Sequence, residues 1–201
     1  MIETLYIEQA IATHSRVREI SSRFPDANQV MCERYGAVFN RKSQNFRLQK
    51  KSPSLILARK FENHVLATPE GYGIGGSNNY YFSHMLNCIY DCRYCFLQGM
   101  YRSAHYVLFV NYDDFFSAMD AKLMTHEGED VWFFSGYDCD SLALDPLTGF
   151  AQHLLSYLET RPHAMVELRT KSTQIRALLG QAPLSNVIVA FSLTPEPAAV
   201  A

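Results

Sequence analysis

Asn79-Tyr80-Tyr81-Phe82-Ser83-His84-Met85-Leu86 runs directly into Asn87-Cys88-Ile89-Tyr90-Asp91-Cys92-Arg93-Tyr94-Cys95, an apolar strand candidate leading into a loop with three cysteines. Downstream the same rhythm recurs. Strand candidates at Tyr106–Val110, Val131–Ser135, Met165–Arg169 and Val187–Ser192 alternate with helical stretches near Arg93–Met100, Asp113–Thr125, Pro146–Thr160 and Thr173–Leu179. Pro146 suits a first helical turn, with Asp145 as its expected N-cap. Such alternation predicts an α/β fold, a parallel sheet with right-handed crossovers, open or rolled into a partial barrel. Ligands of these sheets gather at the carboxyl ends of the strands.

Upstream of this region, residues 3–20 have helical spacing through Leu5, Ile7, Ile11, Val17 and Ile20. Pro25-Asp26 marks a turn, residues 29–40 read as a short strand and loop, and Ser54–Ala58 as another strand. Gly71, Gly73, Gly75 and Gly76 give a flexible run that lacks a phosphate-binding fingerprint and suits close approach to the cysteine loop. We expect an N-terminal segment, residues 1–76, packed on a partial barrel of residues 77–201. We count about five strands in that barrel and expect it to be incomplete at its C-terminus, with an open edge and an aggregation risk.

With 48% hydrophobic and 19% charged residues, the 201-residue chain can bury a full core, which argues against disorder. No apolar run approaches the roughly 20 residues that cross a bilayer. The start, Met1 to Glu8, carries acids where a signal peptide carries bases. The expectation is a soluble cytoplasmic protein without a membrane partner. Five cysteines, three of them within eight residues, suit a reducing compartment and metal binding better than a disulfide framework.

Net charge is only −2, but its distribution is uneven. Arg41, Lys42, Arg47, Lys50, Lys51, Arg59 and Lys60 fall in a stretch without an acid, while residues 111–145 are acidic. The basic stretch is either a solvated face or one wall of a phosphate-binding groove.

Three thiolates on one short loop can take three corners of a four-iron cluster and leave the fourth iron open to a small molecule. Zinc prefers four closed ligands, usually as two separated pairs. Here there is one Cys-x2-Cys pair and no fourth ligand nearby. A buried structural role is the remaining alternative.

The three-then-two cysteine spacing, with an aromatic before the third cysteine, resembles the radical S-adenosylmethionine superfamily. The run from Asn87 through Gly99 to His105 is similar to spore photoproduct lyases. So are Phe39-Asn40-Arg41, the segment Glu167 to Ser172, and Asn186 through Pro195. The likeness spans about residues 24–195. It implies a partial (β/α)6-type barrel, with a [4Fe-4S] cluster on Cys88, Cys92 and Cys95 that receives its electron from a donor such as flavodoxin or ferredoxin. It further implies S-adenosylmethionine cleaved to a 5′-deoxyadenosyl radical, and DNA carrying a thymine dimer, the spore photoproduct, as substrate. The protein's part is then to orient and shield the cofactors.

By the same resemblance Tyr94 stands beside the cofactor, and Lys171 and Ser192, at two strand ends, bind its polar groups. At the end of the third strand the family has a hydrogen-donor cysteine followed two residues later by a cofactor-binding serine. Aligning Asp140 puts Tyr137 at the cysteine position and Cys139 at the serine position. Phe96 likewise stands where relatives often have a tyrosine. Cys139 is then a shifted donor, a cofactor contact or a buried structural thiol, and Tyr137 is the next donor candidate. Cys32 reads as buried, and His84, His105 and His126 as packing or surface residues. Two other functions compete with the lyase: radical chemistry on a different substrate, and a non-enzymatic iron–sulfur or zinc module binding nucleic acid through residues 41–60.

Overall fold

The computed structural model describes residues 2–90, 92 and 95–193. In chain order its elements are β1 (Thr4–Glu8), α1 (Ser15–Ser22), β2 (Asn28–Cys32), α2 (Phe46–Lys51), β3 (Leu55–Ala58), β4 (Leu66–Ala67), β5 (Asn79–Phe82) and β6 (Met85–Leu86). There follow α3 (Leu97–Met100), β7 (Tyr106–Phe109), α4 (Tyr112–Thr125), β8 (Val131–Ser135), α5 (Asp145–Thr148), α6 (Phe150–Leu158), β9 (Ala164–Thr170) and β10 (Val187–Phe191). They form two five-stranded sheets, β2-β1-β3-β7-β6 and β10-β9-β8-β5-β4. Pairing is parallel throughout except for β6 with β7 and β4 with β5.

The strand expected over Asn79–Leu86 is broken at Ser83-His84, and its halves belong to different sheets. Both break residues are held from outside the sheets. The Ser83 hydroxyl accepts the Asp138 N–H at 2.9 Å, and the His84 ring stacks on Phe150 at 3.8 Å. The broken strand thus joins the two sheets as an open, partial α/β barrel, and no closed barrel forms among the described residues.

Residues 3–20 are not one helix. Leu5 and Ile7 alternate along β1 and are buried, flanked by β2 and β3 in parallel register. Ladder bonds on both edges outweigh a helical pattern of only five apolar positions. The helix begins at Ser15, where His14 Nδ1 accepts the Arg16 N–H. Strands on either side of residue 76 share a sheet, since β3 pairs with β7. β3 is buried along its whole length, as a central parallel strand covered on both faces must be. Ile56 and Ala58 join the larger core with Val107, Phe133, Phe150 and Leu168, while Leu55 and Leu57 join a second core under α1.

Asp145 is the first residue of α5 rather than its cap. Its carboxylate accepts the Ala151 N–H at 2.8 Å and so caps the next helix, α6. The helix expected over Thr173–Leu179 is a single turn on the Ile175 carbonyl, followed by left-handed Gly180. No described helix is long and apolar enough to cross a membrane.

Candidate functional site

The carboxyl ends of β8, β9 and β10 open onto a cleft of about 270 Å³ whose far wall is the cysteine loop. Asn87 anchors the start of that loop. It takes a left-handed backbone at φ 67° and donates its amide to the carbonyls of Ser103 and His105, both at 2.7 Å. The chain therefore leaves and rejoins the sheet at one point. Cys88, Cys92 and Cys95 all line the cleft as free thiols, partly exposed. The Tyr90 N–H points at Cys88 Sγ, 3.4 Å away. Burial raises the Cys88 thiol to a pKa of about 11, and the Asp140 carboxylate and the other two thiols push the same way.

Opposite the thiols stand Tyr137, Lys171 and Ser192. Tyr137 is the centre of an aromatic panel, with ring centroids 4.2 Å from Tyr81, 5.9 Å from Phe96 and 6.1 Å from Tyr72. Lys171 Nζ donates to the Ser192 carbonyl at 3.3 Å, tying the ends of β9 and β10 together at the cleft. Tyr94, with Asp91 and Arg93, lies outside the described residues.

Cys139 lines the cleft and is at the same time buried in the second core, to which Leu55, Leu57 and Leu108 belong. Burial raises this thiol well above the usual range, with Cys88, Asp138 and Asp140 adding to the effect. On the same side, burial raises the Asp138 carboxyl and lowers the Lys60 ammonium, and each charge partly offsets the other's shift.

Asp140 organises the rim. Its Oδ1 accepts the N–H groups of Leu142 and Ala143 and the Thr170 hydroxyl, and its Oδ2 accepts the Lys171 N–H at 2.7 Å. Gly136, at φ 75°, makes this turn possible. A Cβ there would lie 2.6 Å from Ser141 Oγ and 3.1 Å from the Cys139 carbonyl.

Two residues on the cleft were not singled out from sequence. Arg169 pairs with buried Glu167 at 2.7 Å and donates to the Tyr72 hydroxyl at 3.0 Å. Arg169 sits one strand repeat from Lys171, so period-2 reading of the quoted segment would have placed both at one site. Tyr72 had no sequence signal beyond the glycines around it. Gly73 and Gly76 lie against Asn79 and Trp132 rather than against the cysteine loop.

Soft thiolates are the donor set of both zinc and iron–sulfur clusters. Among the described residues no three His, Cys, Asp or Glu groups converge on one metal position. Three thiols from one loop lining one cleft supply three corner ligands of a four-iron cluster and leave the fourth corner open. Beside them the lysine offers a point charge for a carboxylate, and the aromatic panel offers apolar cover.

A family model for spore photoproduct lyase matches residues 74–196. Among solved structures, a spore photoproduct lyase variant with bound AdoMet and dinucleoside spore photoproduct superposes with a TM-score of 0.81 at 16% identity, covering 96% of this chain and 56% of that one. Spore photoproduct lyase complexed with dinucleoside spore photoproduct matches with the same figures, TM-score 0.81, 16% identity, 96% and 56% coverage. This chain therefore spans just over half the length of those structures. No curated protein matches it.

Proposed function

Because the chain belongs to the spore photoproduct lyase family, we propose that it is a radical S-adenosylmethionine lyase that reverses a thymine photoproduct in DNA. One observation carries the reading: Cys88, Cys92, Cys95, Tyr137, Lys171 and Ser192, distant in sequence, line one cleft at the strand ends. In it Cys88, Cys92 and Cys95 hold a [4Fe-4S] cluster. The chemistry supplied there is one-electron cleavage of the sulfonium of S-adenosylmethionine. Lys171 and Ser192, with Tyr94, bind the polar groups of that cofactor. Tyr72, Phe96, Phe134 and Tyr137 exclude water from the reacting side.

The two candidates for ending the radical reaction differ in setting. Cys139 lines the cleft but is buried within the second core, whereas Tyr137 stands among the aromatics of the cleft, so the hydrogen donor in this reading is Tyr137. That departure from a thiol donor also favours a second reading, in which the same radical chemistry serves a related substrate. A cytoplasmic, reducing setting suits the free thiols.

Anaerobic reconstitution tests the proposal. The expected result is about four irons per chain and release of 5′-deoxyadenosine from S-adenosylmethionine under reduction. Alanine at any one of Cys88, Cys92 or Cys95 removes both. One zinc per chain with no iron uptake overturns the reading.

A further inference from the structure

The function proposed above requires one electron from outside for each cofactor cleavage, and the following rests on that reading. We propose that the basic face of α2, behind the cysteine loop, docks the protein that delivers the electron, an acidic one-electron carrier of the flavodoxin or ferredoxin kind. The cysteine loop is a partition. Cys88, Tyr90 and Leu97 line the main cleft on one side and, on the other, a smaller cleft shared with Phe46 and Lys50 of α2. No residue of α2 lines the main cleft.

The helix is fastened to the return of the loop at several points. Lys50 Nζ donates to Gln98 Oε1 at 3.3 Å, the Ala104 N–H to Gln49 Oε1 at 3.0 Å, and the Ser54 N–H to His105 Nδ1 at 3.0 Å. Its cations are therefore fixed relative to the thiols. Arg41, Lys42, Arg47, Lys50 and Lys51 are all exposed, and residues 41–60 contain no acid. Among these cations stands exposed Leu48 (61%), and the adjoining cysteine loop exposes Ile89 (39%).

An apolar contact ringed by one sign of charge suits a brief, electrostatically steered encounter, the kind electron carriers make through small interfaces. The main cleft is where cofactor and substrate would sit, so an electron has to enter from the other side. There Cys88 itself lines the smaller cleft beside Phe46 and Lys50, within reach of a docked partner. A phosphate groove feeding a DNA lesion to the radical would need its cations on the cleft side, which α2 does not face.

The test uses a reduced flavodoxin and the full chain, comparing wild type with Arg47→Glu/Lys51→Glu and with Arg18→Glu on distant α1. Two quantities are measured at low ionic strength: flavodoxin affinity by titration, and the rate of cluster bleaching by flavodoxin or by dithionite. We expect affinity and flavodoxin-driven bleaching to fall at least about tenfold in the double variant, with dithionite bleaching unchanged and Arg18→Glu like wild type. Unchanged flavodoxin affinity in the double variant overturns the proposal. So does loss of duplex-DNA affinity with flavodoxin binding intact, which assigns α2 to DNA. Failure to load iron defeats the proposed function instead, and flavodoxin affinity for the same chain still decides the docking.

Discussion

Single residues in this site are set apart by burial. Cys139 and the loop cysteines are all thiols, yet Cys139 is enclosed by the core while Cys88, Cys92 and Cys95 are partly open. Reactivity follows the thiolate and its access. In metal-free protein, alkylation followed by mass spectrometry should therefore modify the loop cysteines under native conditions. Cys139 and Cys32, both buried, should be modified only after unfolding. Native labelling of Cys139 at the rate of the loop cysteines would show its sulfur facing the cleft and restore it as the hydrogen donor. His84 illustrates the same rule. Burial lowers its pKa to about 3, so the ring stacked on Phe150 stays neutral and packs rather than titrates.

At the scale of elements, the turn after β8 joins two strand ends to the cleft. Asp140 spends both oxygens on backbone and side-chain donors from its own turn and from β9 and the residue after it. Losing charge-assisted hydrogen bonds of this kind costs about 2 kcal/mol. Asp140→Ala should lower the unfolding free energy by about that amount, read as a lower denaturation midpoint at constant m. Asp140→Asn should lower it less, because one oxygen still serves Leu142, Ala143 and Thr170. Gly136→Ala should cost about 2 kcal/mol or more, since a left-handed backbone and contact with Ser141 penalise it together. Wild-type midpoints in both alanine variants would mean that the turn does not hold the rim.

Across the whole molecule, the two sheets leave β10 with a single strand neighbour, β9, among the described residues. Around that edge Ile188 (39%), Phe191 (50%) and Leu193 (85%) are exposed. An exposed apolar edge strand is a template for pairing with another chain. The weight-average mass of this chain by light scattering should rise with concentration, and Ile188→Lys should suppress the rise while leaving stability within about 0.5 kcal/mol. A weight-average mass that stays constant for wild type, or rises equally in the variant, would show the edge to be harmless.

The parts that sequence determined are those with local physical causes. The strands β7, β8, β9 and β10 were legible because runs such as Val131–Ser135 are apolar and end at turn residues. The cysteine loop was legible because three thiols within eight residues have few uses besides metal. Lys171 and Ser192 were reached through family likeness and a strand-end argument, and tertiary structure brings both to the cleft. What sequence could not decide depends on partners far along the chain. Leu5 and Ile7 suit a helix or a strand equally, and ladders with β2 and β3 choose the strand. Likewise, nothing local divides Asn79–Leu86 between two sheets. That break is made by Asp138 and Phe150, more than fifty residues away. Cys139 sits two positions after Tyr137, and local spacing alone would give both the same surroundings. Both line the cleft, yet in the Gly136–Ser141 turn Cys139 is also buried in the second core while Tyr137 stands among the cleft's aromatics, because a turn, unlike a strand, does not preserve the face.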